Sequence, residues 1–140
     1  MAGFEFSHRL SGGAPTIKDL TFKDTETITK GDIVNLESGQ IDLAATNDDA
    51  LVGVALETKA GTTAVSKLKC ITDPDAVYSV VDANARAIGA TLDVAGATGA
   101  QTVATSSNKE FVVIADSSAT EPTLVIINQA HHWYAGTAIA

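Results

Sequence analysis

The apolar positions along the chain follow the pattern of short β-strands separated by turns. Ile33–Glu37 and residues 41–44 flank a turn at Gly39, which predicts a hairpin with Gly39 at positive φ. Residues 51–56 are apolar without alternation, which predicts a strand that is covered on both faces. Gly53 within that run predicts a bulge or the close approach of another backbone.

Further strands are predicted from apolar runs and from the alternation of apolar and polar residues. One short helix is predicted between them. Leu68 and Cys70 alternate with lysines, so Cys70 is predicted to be a small inward-facing hydrophobe rather than a nucleophile. Residues 82–88 are the one helix candidate, with Asp82 as its cap. The other strand candidates are residues 25–29, 77–81, 111–115 and 124–127. The sum predicts an all-β domain, a small barrel or sandwich with long loops.

The two ends of the chain carry most of its aromatic side chains. Residues 1–16 are interpreted as an N-terminal arm, residues 17–128 as the β domain and residues 129–140 as a C-terminal tail. The four terminal aromatic residues, of seven in all, are Phe4, Phe6, Trp133 and Tyr134. These ends either fold back onto their own domain or dock on a neighbouring subunit or larger partner. The second alternative is preferred, because aromatic side chains are common anchors at interfaces.

Composition narrows the possible partners. The chain has 140 residues, enough for one domain, and nine Lys and Arg against 17 Asp and Glu give a net charge of −8. This charge argues against nucleic acid and anionic membranes as partners. No apolar run approaches the length of a membrane helix, and the first residues show no secretory signal. The single cysteine allows no internal disulfide, so we expect folding in a cytoplasm.

Motifs for catalysis or metal binding are absent from the sequence. His131 and His132 are adjacent, and neighbours on an extended strand point to opposite faces, so they are poorly placed to share a metal. The acidic pairs Asp48–Asp49 and Asp73 with Asp75 lack the spacing of a calcium loop and are interpreted as solvated turn residues. We therefore predict no enzyme activity, no metal and no cofactor.

Three consecutive segments resemble a known family. Residues 31–36 (GDIVNL), 39–44 (GQIDLA) and 51–57 (LVGVALE), followed by residues 88–94 (IGATLDV), resemble the body of tailed-bacteriophage capsid decoration proteins, also called cement proteins. The resemblance implies a β-tulip fold without a catalytic site. It also implies a homo-oligomer, a trimer in preference to a dimer, on the outer surface of the virion capsid after synthesis in the host bacterial cytoplasm. The implied partner is the major capsid protein.

The resemblance and the aromatic residues at the chain ends together predict a structural function without catalysis. The protein is expected to bind the mature head and to stabilise contacts between major capsid protein subunits. The residues expected to dock on the head are Phe4, Phe6, Arg9 and Leu10. The residues expected to hold protomers together are His132, Trp133 and Tyr134.

Two alternatives come from other classes of protein. The first is a virion-surface or cell-surface binding module, an adhesin or carbohydrate-recognition domain whose Ser/Thr/Gly-rich loops contact a glycan. The scarcity of aromatic residues in the body of the chain argues against it. The second is a small hydrolase or metal-dependent enzyme, which would need a cluster of catalytic residues that the sequence does not supply.

Overall fold

The computed structural model describes residues 3–23, 26–46, 48, 50–60, 67–105 and 108–133. These residues form thirteen β-strands and one 3-10 turn, Gln129–His131. The strands are β1 (Phe4–Arg9), β2 (Ile17–Thr21), β3 (Thr27–Ile28), β4 (Ile33–Glu37), β5 (Gln40–Leu43), β6 (Leu51–Val54), β7 (Lys59–Ala60), β8 (Lys67–Ile71), β9 (Ala76–Val80), β10 (Thr91–Ala95), β11 (Thr102–Thr105), β12 (Phe111–Val113) and β13 (Thr123–Ile127). The predicted all-β class is confirmed.

The largest sheet has six strands in the order β1-β9-β13-β12-β10-β11, all antiparallel. Its inner face alternates strictly on β13, where Thr123, Val125 and Ile127 are buried. The predicted strands at residues 111–115 and 124–127 therefore pair with each other, as β12 and β13. β1 and β11 are the two edges of this sheet.

Five other strands form a ring beside this sheet. Ladders join β5 to β4, β4 to β6, and β2 to β8. Single bridges close the ring, Phe22 with Ile41 between the end of β2 and β5, and Ala55 with Cys70 between the end of β6 and β8. The ring encloses a small core that includes Phe22, Val52 and Cys70. The barrel-like part of the predicted fold corresponds to this ring.

Strand β6 separates two hydrophobic cores. Val52 faces the core inside the ring, whereas Leu51 and Val54 face the larger core beneath the six-stranded sheet. All four residues of β6 are buried, so the predicted burial on both faces is confirmed. A Cβ on Gly53 would lie 2.0 Å from the carbonyl oxygen of Ile71, which confirms the predicted close approach of another backbone.

Two further local predictions are confirmed. The β4–β5 hairpin turns through Ser38 at φ 53° and Gly39 at φ 81°, the pair of positive φ angles of a type I′ turn. Cys70 is fully buried on the inner side of β8, and burial raises the pKa of its thiol to about 12. Its thiol therefore remains protonated and unreactive at neutral pH.

The predicted helix at residues 82–88 is wrong. The segment is a non-helical loop in which Arg86 forms a bridge with Ser117 and Ile88 N donates to the Asp116 carboxylate at 2.8 Å. Asp82 accepts from Arg86 Nε at 2.6 Å instead of capping a helix. Two turns of helix cannot offset the cost of nucleation without packing, and Ile88 on the expected apolar side is 64% exposed.

The predicted N-terminal arm of residues 1–16 is largely part of the domain. β1 pairs with β9 along its length, with an irregularity between Phe6 and His8. Phe4 is 2% exposed and stacks on Phe111, with ring centroids 5.3 Å apart. The sequence left open whether the terminal aromatic residues fold back onto their own domain or dock on a partner. Phe4 folds back onto its own domain.

Replacing Phe4 by Ala should lower the free energy of unfolding by about 3–5 kcal/mol, because it leaves a cavity in the larger core. Phe6 is only half-buried at the edge of that core, so Phe6→Ala should cost clearly less. Urea denaturation of both variants measures the difference. Equal, small losses would mean that β1 does not pack in solution as it does here.

Candidate docking surfaces

An apolar groove lies beside the first half of β1. It encloses about 410 Å³ and is lined by backbone and side chains of β1, β6, β9 and the loops next to them. Phe6, Leu56, Val81 and Pro122 give the groove its apolar character, and Lys30 and Glu5 place opposite charges along it. Val81 is 56% exposed. The groove is therefore open to a partner.

The edge of β1 borders this groove. Phe4 N donates to Gly31 O at 2.8 Å, so the N–H of Phe4 points away from β9. Because alternate residues of an antiparallel strand direct their backbone groups to the same side, the N–H and C=O of Phe6 also point away from β9. The groove thus combines apolar side chains with a strand edge.

The second half of β1 is fixed to the turn that connects β8 and β9. Arg9 Nε lies 2.9 Å from Asp75 Oδ1, and the backbone N–H of Leu10 donates to Asp75 O at 3.0 Å. The hydroxyl and backbone N–H of Ser11 also donate to the Asp75 carboxylate. Thr16 N donates to Asp73 Oδ2 at 2.6 Å. The interpretation of Asp73 and Asp75 as solvated turn acids is therefore too simple, since both hold the N-terminal segment.

These contacts stabilise the charged form of Asp75. The Ser11 hydroxyl, followed by the Arg9 guanidinium, lowers the pKa of the Asp75 carboxyl to about 2. Asp75 is partly open to solvent, so screening limits the energy of these contacts.

Two apolar side chains are exposed next to this turn. Leu10 is 59% exposed and Ile17 is 51% exposed. Leu10 follows β1, and Ile17 begins β2 opposite Ile71. The structure therefore separates the residues predicted to dock together: Phe6 lines the groove, whereas Arg9 and Leu10 lie at the turn.

Of the C-terminal candidates, His132 lies near the same turn. His132 is 1% exposed and bridges Leu51, and burial lowers the pKa of its imidazole to about 4 despite the nearby Thr72 backbone and Asp73 carboxylate. Trp133 packs partly buried against the core of the ring. Tyr134 lies outside the described residues. A buried His132 supports its own protomer and offers no side chain to a neighbour in this arrangement.

Buried polar side chains that no sequence motif indicates hold the loops around the ring. The Asp32 carboxylate accepts from Thr98 Oγ1 at 2.6 Å and from Gly99 N at 2.9 Å. Gln101 is fully buried, accepts from Ile33 N at 2.6 Å and donates to Ala44 O at 3.1 Å. The glycine-rich loop between β10 and β11 is thus fixed to the start of β4. Asp32 follows Gly31 at a strand start, where a carboxylate commonly accepts local N–H groups.

A second buried carboxylate holds the connection between β5 and β6. Glu110 is fully buried and accepts from Val94 N at 2.8 Å and from Asp48 N at 3.0 Å. Burial raises the pKa of Glu110. The backbone N–H of Asn108 donates to the neighbouring Asp93. The carboxylate oxygens of Glu110 and Asp93 thus accept hydrogen bonds from the backbone of this chain. The burial of these two acidic residues side by side is explained by this structural role.

Other candidates for chemistry are dispersed. Within the described ranges, no three His, Cys, Asp or Glu side chains are grouped to hold a metal ion. Asp49, one member of a candidate acidic pair, lies outside those ranges. Asp42 lies 3.7 Å from Lys23 Nζ, and burial, followed by the charge of Glu37, raises the pKa of its carboxyl to about 6.

No protein-family model and no curated protein matches this chain. In the part of the chain that the structure describes, no helix has the length and apolar character needed to cross a bilayer.

Replacing Asp75 by Asn should destabilise the protein at pH 7 by about 1 kcal/mol or less, given the partial exposure of this site. Because folding lowers the pKa of Asp75 from 3.8 to about 2, its contribution is present above pH 3.8 and is lost as the pH falls through about 2. The deficit of the variant should therefore shrink below pH 4, as measured by urea denaturation at several pH values.

Asp19 provides the matched control, since its ion pair with Lys69 at 3.1 Å is exposed on both sides. Asp19→Asn should change stability little at any pH. A similar, pH-independent loss in both variants would contradict the role assigned to Asp75.

Proposed function

We propose that this protein is a structural virion protein that binds the outer surface of a mature phage head and stabilises contacts between major capsid protein subunits. The proposal combines the resemblance of residues 31–94 to capsid decoration proteins with the surfaces described above. It includes a homo-oligomer and involves no catalytic step. The groove beside Phe6 is the head-docking surface, and a segment of the major capsid protein is its occupant.

The observation that carries the proposal is the combination of an apolar groove and a strand edge at Phe6. An extended segment of a shell protein can place apolar side chains against Leu56, Val81 and Pro122 while its backbone faces the groove side of β1. The side chain of Phe4 is not an anchor at this surface, because it is buried in the core. Its stacking on Phe111 instead fixes the position of the strand that carries Phe6.

The charge of the chain supports the same function. A net charge of −8 keeps a protein soluble at high copy number and disfavours its binding to the packaged nucleic acid. Gln101 and Glu110 are buried, and buried polar side chains whose hydrogen bonds are satisfied are expected to stiffen the domain. Rigidity suits a protein whose task is mechanical, because a stiff part transmits load between the subunits to which it binds.

Density-banded virus particles from the source should contain this chain at hundreds of copies. Mild chaotrope should release it before the shell protein, because it binds from outside. Gel electrophoresis and mass spectrometry of treated and untreated particles measure both quantities. Absence from particles, or a handful of copies, would overturn the proposal and make glycan binding the next candidate.

Val81→Asp should weaken binding to stripped heads at least tenfold, because it places a charge in the apolar groove without disturbing a buried side chain. The matched control is Ile88→Asp, which changes an exposed side chain that does not line the groove. Cosedimentation of each folded variant with heads measures the affinity. Equal binding by Val81→Asp and wild type would exclude the groove as the docking surface.

A further inference from the structure

The end of the described chain runs from the six-stranded sheet to the ring. β13 belongs to the sheet, and the 3-10 turn Gln129–His131 follows it after Asn128. His132 then forms a bridge with Leu51, the first residue of β6, and Trp133 packs against the core of the ring. Residues 132–133, the clasp, therefore connect the sheet to the ring.

The turn before the clasp has contacts of its own on the side of the sheet. Asn128 Oδ1 accepts from Ala130 N at 3.2 Å, and Asn128 Nδ2 donates to Lys109 O at 2.9 Å. The clasp, in contrast, is held by the bridge of His132 to Leu51 and by the packing of Trp133. The clasp can therefore leave the ring while the turn keeps its contacts.

His132 is the buried titratable residue of the clasp. It is 1% exposed, its backbone bridges β6, and its imidazole lies near the backbone of Thr72 and the carboxylate of Asp73. Burial disfavours the charged form of a histidine, because the imidazolium loses its hydration. Protonation of His132 therefore favours a conformation that returns the ring to water.

The charges on the elements around His132 offset only part of this cost. β6 carries no titratable side chain. In the β8–β9 turn, the Asp73 carboxylate and the Thr72 backbone favour the imidazolium. Arg9 Nε lies 3.7 Å from Asp73 Oδ1 and 2.9 Å from Asp75 Oδ1, so the guanidinium compensates the negative charge of this turn. Burial is the largest effect and lowers the pKa of His132 from 6.5 to about 4.

Acid should loosen the clasp in a defined pH range. Because folding lowers the pKa of His132, the closed clasp is fully stable above pH 6.5 and is weakened as the pH falls towards 4. Between pH 7 and pH 5, the ratio of open to closed clasp should rise about 20-fold.

Other titrating groups favour the folded domain in the same range. Burial raises the pKa of Asp42 from 3.8 to about 6, so proton uptake by Asp42 stabilises the fold as the pH falls below 6. Burial also raises the pKa of Glu110, with the same sign. The pKa of Asp75 is lowered to about 2, so its contribution is lost only below pH 3.8. The clasp should therefore open before the domain unfolds.

We propose that the clasp is acid-sensitive: protonation of His132 releases residues 132–133 from the ring, whereas the ring and the six-stranded sheet stay folded. Release uncovers the part of the ring core against which Trp133 packs at neutral pH. The inference is independent of the proposed function, because it requires neither a phage head nor a second copy of the chain.

Trp133 reports on the clasp directly, because it is the only tryptophan in the sequence. Its emission maximum and its quenching by acrylamide are measured from pH 7 to pH 4, with far-ultraviolet circular dichroism in parallel. The emission should move to longer wavelength and the quenching should rise as the pH falls, while the dichroism stays native. An unchanged Trp133 signal down to pH 4 would overturn the proposal, as would a loss of dichroism in step with the signal.

His132→Gln supplies a neutral polar side chain that takes up no proton in this range, so its Trp133 signal should stay constant to pH 4. The comparison variant is His131→Gln, which changes the preceding, partly buried histidine and should titrate like the wild type. An acid response in His132→Gln equal to that of the wild type would assign the opening to another group and refute the role of His132. Should His132→Gln not fold, proton NMR of the wild type decides, since the His132 imidazole must titrate with the midpoint of the Trp133 signal.

Discussion

The backbone of Ile71 passes so close to Gly53 that no side chain fits between them, and both hydrophobic cores depend on this approach. It lets β6 lie between the ring of strands and the six-stranded sheet. Val52 then contributes to one core, and Leu51 and Val54 contribute to the other. Because one strand serves both cores, loss of either core removes support from the other. The domain is therefore expected to unfold as one cooperative unit.

The long loops gain their order from buried polar side chains rather than from apolar packing. Gln101 joins the end of the glycine-rich loop to Ile33, and Glu110 joins β10 to Asp48. Gln101 accepts the N–H of Ile33 and donates to the carbonyl oxygen of Ala44, whereas Glu110 accepts the N–H groups of Val94 and Asp48. Removing either side chain would leave two backbone polar groups without these partners, which costs more than the hydrogen bonds themselves contribute.

The sequence predicts those elements whose signal is local. The hairpin at Gly39 follows from turn chemistry, and the burial of residues 51–56 follows from an apolar run without alternation. The Gly12–Gly13 turn favours an arm at residues 1–16, whereas the alternation of Phe4 and Phe6 indicates the strand that the structure has there. The contacts of Asp32 with Thr98 and Gly99 and those of Gln101 with Ile33 and Ala44 could not be predicted, because these partners are distant in sequence.

The two surfaces along β1 do not compete. The groove lies beside Phe4 and Phe6, whereas the turn contacts begin at Arg9, near the other end of the strand. In the homo-oligomer that the proposed function includes, several grooves would face one shell. Linked grooves bind far more tightly than single ones, because each docked copy raises the effective concentration of the others. Such a protein could bind weakly as a free protomer and firmly only on a lattice whose spacing matches the oligomer.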